Sequence, residues 1–294
     1  MKNAVLIAGP TASGKSALAL ELAERLGGTI VNADSMQVYS VLDVLTARPR
    51  GADLARAPHL LYGHVHPGTA YSTGAWLRDV GRIAFELESR PAIFTGGTGL
   101  YFRALTEGLS EMPAVSAAIR ERWRERLATE GPDALHRLLG ERDPEGAASL
   151  RPTDGQRIVR ALEVLEASGR SIRAWQAERG RPFIDRATAR FFVVEPDRAD
   201  LVRRIEDRFD RMVEDGVLDE VRAFTALGLD PSLPATKAIG LRELGAAHSG
   251  QIGLREAIDR AKAATRQYAK RQSTWFRHQL GPEWRRLRSG ERPS

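Results

Sequence analysis

The chain has 294 residues, 42% hydrophobic and 28% charged, enough for one large core and an appendage. It has no cysteine, which excludes disulfides and thiolate metal sites, and no apolar run nears the ~20 residues that cross a bilayer. Lys and Arg total 44 against 38 Asp and Glu, and the net +6 suits either an acidic partner or a solvated basic surface.

The opening "MKNAVLIAGPT" is too short in apolar residues for a signal peptide, so a cytoplasmic protein is expected, a monomer by default. "AVLIA" predicts a buried strand over 4–8, and residues 16–26 predict a helix with Leu18, Leu22 and Leu26 on one face. Between them, Gly9 is followed by Pro10, Thr11, Ala12 and Ser13, then by Gly14, Lys15 and Ser16. That is the spacing of a phosphate cradle. Its glycines let backbone N–H groups approach phosphate oxygens, and the following helix adds its positive end. Lys15 is placed to reach the outer phosphates, and Ser16 to hold Mg²⁺.

"GGTIVNADS" predicts a turn and a second strand over 29–33, running into Asp34. "RPAIFTGGTGLYFRAL" repeats the strand, Gly-rich turn and helix, and "RFFVVEPD" supplies a fourth strand. Continuous apolar strands alternating with helices predict an α/β fold, a P-loop NTPase-like parallel sheet with helices on both faces. Ligands in such sheets lie at the carboxyl ends of the strands, where residues 9–16, Asp34 and residues 96–99 are placed to converge.

The acid that usually partners such a loop is missing, because "AIFT" runs into Gly96 and Gly97. Asp34 is the better-placed acid, either for the metal or as a general base, against a turn or helix-cap role in "ADSMQVY". Glu195 and Asp197 after "FFVV" are further candidates, although Pro196 disturbs their geometry. His64 and His66 in "GHVHPG" lack a third metal ligand.

Residues 116–187 read as a helical, Arg-rich insertion, leaving 1–115 and 188–294 as the core domain. In "IRERWRERL", Ile119, Trp123 and Leu127 share a face; Asp154 is an N-cap candidate and Gly169 a stop. "DRAKAATRQYAKRQSTWFRHQL" predicts a long basic helix.

The segments "AGPTASGKS", "NADSMQVY", "APHLL", "TGGTGLYFRAL", "DGQRIVRALEV", "RRIEDRFDRMVEDGVLDEV", "KAIGLREL" and "ATRQYAKRQSTWFR" follow in order from Ala8 to Arg277. Together they resemble the tRNA dimethylallyltransferases, or isopentenyl-tRNA transferases. The resemblance implies transfer of a dimethylallyl group from its diphosphate to N6 of the adenosine 3′ of the anticodon, with Mg²⁺ required and pyrophosphate leaving. It implies that the cradle, Lys15 included, holds the donor diphosphate, that Arg208 supports it, and that Asp34 is the base. Thr98 is implied beside the reacting base. Further contacts to tRNA are implied for Asp34, Ser35, Met36 and Gln37, for Arg120, and for Gln156, Arg157, Ile158, Val159 and Arg160. Lys237, Ala238, Ile239, Gly240, Leu241 and Arg242 complete that set.

On this view the insertion and the basic C-terminal helix grip the anticodon stem-loop while the target base is extruded. The residues alone favour surface ion pairs of Arg157 and Arg160 with Glu163 and its neighbours. The chain departs from the family pattern in three ways. Leu45-Thr46-Ala47-Arg48-Pro49 stands for Gly-Thr-Ala-Lys-Pro, which puts the local loop shape in question. Gly74-Ala75-Trp76 replaces an acidic-aromatic pair, and the cysteines of a eukaryotic-type zinc finger are missing. The competing readings are a P-loop kinase that phosphorylates a small molecule from ATP, and an RNA-binding protein that senses nucleotides.

Overall fold

The computed structural model describes every residue except Glu88, Arg179 and Ser294. The chain forms two compact units, one of Met1–Thr106 with Phe183–Ser294 and one of Glu107–Pro182. The strands are β1 (Val5–Ala8), β2 (Thr29–Asn32), β3 (His59–Leu60), β4 (Ala92–Gly96), β5 (Arg190–Val194) and β6 (Arg285–Leu287). The helices before the second unit are α1 (Lys15–Leu26), α2 (Ala52–Arg56), α3 (Thr73–Arg82) and α4 (Gly99–Glu107). Those of the second unit are α5 (Ala117–Arg142), α6 (Pro144–Ala148), α7 (Gly155–Ser168) and α8 (Ile172–Ala177). The chain continues with α9 (Arg198–Glu214), α10 (Val217–Ala226), α11 (Leu241–His248) and α12 (Leu254–Gln279).

The first unit is built on one six-stranded sheet, ordered β3-β2-β4-β1-β5-β6, with every pair parallel. Side chains alternate between its faces. Val5, Ile7, Ile30 and Ile93 meet Leu18 and Leu22 of α1 on one side. Leu6, Val31, Phe94 and Val193 meet Trp76, Phe102 and Phe276 on the other. Burial on both faces is why these strands read as unbroken apolar runs. The short edge strands β3 and β6, "HL" and "RRL", carry no such run and escaped the sequence reading.

The register positions the site. Ala8 lies opposite Gly96, and Asn32 opposite Thr95, so the carboxyl ends of β1, β2 and β4 are level.

In the second unit Trp123, Leu135, Leu139, Ile158 and Leu162 form a core, with Ile119 and Leu127 packed against it. Gly131 breaks α5 with φ 78° and ψ 168°, and Pro132 restarts the helix after it. Asp154 caps α7 by accepting the Arg157 N–H, and Gly169 ends it in the left-handed region. The unit closes at Pro182 rather than at 187. The amides of Phe183 and Ile184 already donate to Leu105 O in the first unit, and Ile184 is buried there. Among the described residues, no helix is long and apolar enough to cross a membrane.

Candidate active site

The cradle is built from backbone geometry. A Cβ at Gly9 would come within 2.6 Å of Ser13 Oγ and 3.0 Å of Val194 O, so this position has no room for a side chain. Ala12 and Gly14 adopt left-handed backbone, φ 62° and 94°, and the Ser13 N–H donates to Pro10 O at 3.2 Å. Two arginines of α9 bind the loop. Arg208 donates to the Thr11 hydroxyl, and Arg204 donates to Ser13 O at 3.2 Å and to Ser289 Oγ at 2.9 Å. A planar peptide whose carbonyl is drawn toward Arg204 aims its N–H, that of Gly14, the opposite way.

Lys15 Nζ folds across the loop to donate to Pro10 O at 3.2 Å. Burial pushes its pKa down to about 8; Asp34 opposes the shift and Arg208 adds to it. Burial likewise draws Arg208 down to about 10, with Asp34 opposing. Two cations are thus held partly desolvated within the influence of one carboxylate, an arrangement that gains from an incoming anion.

The Asn32 side chain shapes the next loop. Its Nδ2 donates to Asp34 O and Leu61 O, both at 3.0 Å, and its Oδ1 accepts the Asp34 N–H at 2.8 Å. Asp34 Oδ1 accepts the Met36 N–H at 2.9 Å, so one oxygen serves the turn as the local reading suggested. The other, Oδ2, faces Gly97, 3.2 Å from where a Cβ would stand. Thr98 Oγ1 accepts the Ser35 N–H at 2.9 Å and donates to Ser35 Oγ at 3.2 Å.

The glycines after β4 are there for close approach. A Cβ at Gly96 would overlap Ala33 O, one at Gly97 would overlap Gln272 Nε2, and one at Gly99 would overlap the Trp275 ring. Gln272 is 6% exposed; it accepts the Thr11 N–H through Oε1 and donates to Gly97 O through Nε2, both at 2.9 Å. Trp76, in the stretch that departs from the family pattern, is fully buried. It donates to Asn32 O at 2.9 Å and stacks on Tyr101 at 4.1 Å.

These loops border a cavity of about 300 Å³. Thr11, Asp34 and Arg208 give it a polar end, while Leu45, Phe209 and Met212 give it an apolar wall. Tyr268 and Arg271 of α12 also line it, and burial, with Asp34 as a second cause, raises the Tyr268 pKa. The wall carrying Leu45 is fixed by Glu220 of α10, which accepts the amides of Asp43, Val44 and Leu45 at 2.7, 2.7 and 2.8 Å. Positive φ falls at Ala47 (51°) and not at Leu45, so the leucine is accommodated without the left-handed backbone a glycine would permit. Gln37 props the same wall, donating to Thr46 O and Ala47 O at 2.9 Å.

The cradle, Asp34, Thr98 and Arg208 are therefore brought to one edge of the sheet, with Ser35, Met36 and Gln37 beside them. Ser16 is exposed in the first turn of α1. Lys237 is exposed, and with Ala238 and Ile239 it lines the cavity. Gly240 and Leu241 are buried, whereas the Arg242 side chain is 91% exposed beside Glu243. In the second unit Arg120, Gln156 and Arg157 are exposed, while Ile158 and Val159 point into the core. Arg157 meets Asp154 at 3.4 Å on the surface, whereas Arg160 meets Glu163, which is buried, at 3.2 Å.

The remaining candidates are engaged elsewhere. Glu195 pairs with Arg286 at 2.7 Å, His64 lies 3.3 Å from both Tyr71 Oη and Asp79 Oδ2, and His66 accepts the Gly68 N–H. Among the described residues no group of three or more His, Asp or Glu is placed to hold a metal. Sequence reasoning missed Arg204, Glu220 and Gln272. All three lie inside segments that carry the family resemblance, but nothing local marks what each will meet; the partners of Glu220 are 175 to 177 residues away.

A family model described as IPP transferase matches residues 37–279. The chain belongs to the IPP transferase family. It is 70% identical over 292 residues to the tRNA dimethylallyltransferase of Mesorhizobium japonicum, covering 99% of this chain and 91% of that protein. It is 61% identical over 289 residues to the tRNA dimethylallyltransferase of Chelativorans sp., covering 98% and 99%. The solved tRNA isopentenylpyrophosphate transferase of Bacillus halodurans aligns with a TM-score of 0.68 at 30% identity, over 98% of this chain and 90% of that one. A eukaryotic dimethylallyltransferase acting on tRNA aligns with a TM-score of 0.83 at 26% identity, over 98% and 74%. The P-loop-like sheet of this family is the fold expected from the cradle and its flanking strand and helix.

Proposed function

We infer that this chain moves a dimethylallyl group from dimethylallyl diphosphate to N6 of the adenosine 3′ of a tRNA anticodon, releasing pyrophosphate. The observation that carries this reading is the two-ended cavity. An anion-binding end and Asp34 share it with an apolar wall sized for a short hydrocarbon, in a chain whose relatives are named for this transfer.

In the reaction N6 attacks C1 of the dimethylallyl group, the C1–O bond breaks, and its electron pair leaves with pyrophosphate. Asp34 takes the N6 proton, a contribution of about 10²–10⁴-fold for a positioned base. The cradle amides, Lys15 and Arg208 stabilise the charge gathering on the leaving group. The donor set also fits Mg²⁺. The ion needs few protein oxygens when phosphate and water supply the rest, and the Ser16 hydroxyl would hold it while it neutralises the diphosphate.

Thr98, Ser35, Met36 and Gln37 meet the extruded nucleotide at the cavity mouth. Lys237, Arg242, Arg120, Gln156 and Arg157 contact the anticodon stem-loop through exposed side chains, and Arg160 through a half-buried one. Ile158, Val159, Ala238, Gly240 and Leu241 serve the same interface by holding the backbone beneath it.

A kinase acting on a small hydroxyl compound gives no purpose to the apolar wall of Leu45, Phe209 and Met212. Incubating the protein with radiolabelled dimethylallyl diphosphate and unmodified tRNA is expected to label the RNA. Labelling of a small molecule from ATP, with none of the RNA, would overturn the reading.

A further inference from the structure

We propose that Gln272 is a positioning residue for donor binding, a side-chain staple that fixes the phosphate cradle at a set distance from the loop carrying Thr98. The proposal rests on the prenyl-transfer reading above.

Three observations carry it. Gln272 is buried, and each end of its amide has one backbone partner at 2.9 Å, the Thr11 N–H at the end of β1 and Gly97 O at the end of β4. The two partners sit on loops that follow adjacent strands, and the bond to Thr11 spans 261 residues of chain. Finally, the site is shaped around this amide, since any side chain at Gly97 would overlap Nε2. A buried amide that uses its donor and its acceptor on two different loops fixes the distance between them, which no apolar residue of equal size can do.

The staple acts through its partners. Thr11 carries the hydroxyl to which Arg208 donates, and Asp34 Oδ2 also lies close to Gly97. Loosening Gln272 therefore lets the cradle drift from both the diphosphate-supporting arginine and the proposed base. The donor should feel this first, as a rise in KM, while the exposed tRNA-contacting side chains are untouched.

Gln272→Glu provides the test. The ionised carboxylate still accepts from Thr11 but cannot donate to Gly97 O. The protonated acid has the donor and acceptor of the original amide. Burial and the Asp34 carboxylate favour the protonated acid, while the Thr11 N–H and the Lys15 and Arg208 cations favour the ionised one, so it is falling pH that restores the donor. Donor KM is measured for the parent, this variant and the uncharged Gln272→Leu from about pH 6 to about pH 8.5, the leucine variant showing how Lys15 titrates without the introduced charge.

The expected ratio of the glutamate variant's KM to the parent's is about tenfold or more at the alkaline end and shrinks toward unity at the acid end, with tRNA affinity unchanged. A ratio near unity throughout, or a loss equally large at both ends as for general damage, overturns the proposal. Gln272→Leu, checked for folding by thermal melting, is expected to keep the raised KM at every pH; a folded leucine variant with parental KM also overturns it. If the parent itself fails to prenylate tRNA in this assay, the functional reading falls, and not the staple alone.

Discussion

The polar groups of the sheet unit are tied across long stretches of chain, whereas those of the insertion are tied mostly to near neighbours. Thr11 and Gln272 are 261 residues apart, and Asp43 and Glu220 are 177. In the insertion, Arg157 meets Asp154 and Arg160 meets Glu163 one turn away, and Arg126 meets Glu130 at i,i+4. Long-range, half-buried bonds fix a geometry before any ligand arrives. Exposed local pairs such as Arg157–Asp154 and Arg126–Glu130, worth about 0–1 kcal/mol each, can be exchanged for phosphate contacts at little cost, while Arg160 is held by the buried Glu163. The sheet unit thus carries a preset geometry, and the insertion carries surface cations that are easily released.

The largest effect is expected at the chemical end. Asp34→Ala should lower turnover by about 10²–10⁴-fold while tRNA affinity stays nearly constant, measured by single-turnover kinetics and filter binding. A variant turning over at the parental rate would remove the general-base role.

Trp123→Ala tests whether the two units are energetically separate. Truncating this buried indole should destabilise the insertion by about 3–5 kcal/mol. Calorimetry is expected to show an early transition for the insertion, with the later one unchanged. One merged, lowered transition would mean that the units melt together.

Lys15 sharpens the contrast through pH. Its pKa in the ligand-free fold is about 8, against an ordinary 10.5. Between those values the unfolded chain holds a proton that the folded chain lacks, so ligand-free stability should rise as pH increases through this window. Pyrophosphate binding needs the charged form, and its affinity should fall by up to about tenfold per pH unit above 8. Lys15→Met is expected to abolish the alkaline gain in stability and to flatten the lysine-linked part of the binding curve. Melting curves and titration calorimetry read the two effects.

The smallest effects belong to the exposed cations. Lys237→Ala and Arg157→Ala should each weaken tRNA binding by about 1 kcal/mol or less and lower the salt slope by about one, with kcat unchanged. Salt-independent losses would argue that these residues act on the fold instead.

The sequence carried the sheet well because its central strands are apolar on both faces, and it placed the cradle because Gly9, Gly14, Lys15 and Ser16 form a local pattern. The ends of β1, β2 and β4 could be expected to meet, since parallel strands bring their loops to one edge. Other parts were hidden for physical reasons. Strands β3 and β6 have two and three residues, too few to show a period. Arg204, Glu220 and Gln272 act on backbone groups far away in sequence, and a charged or amide side chain gives no sign of which distant carbonyl or N–H it will meet. Ile158, Val159 and Leu241 lie within segments matched to tRNA contact, yet helical periodicity turns their side chains inward.

The bond between Thr11 and Gln272 also bears on how the protein is made. Translation proceeds at about 5–20 residues per second, so the cradle leaves the ribosome long before helix α12 exists to close it. For that interval a nascent chain carries an N-terminal loop with one amide still unclaimed. A message broken off ahead of codon 272 would yield protein in which that gap is permanent.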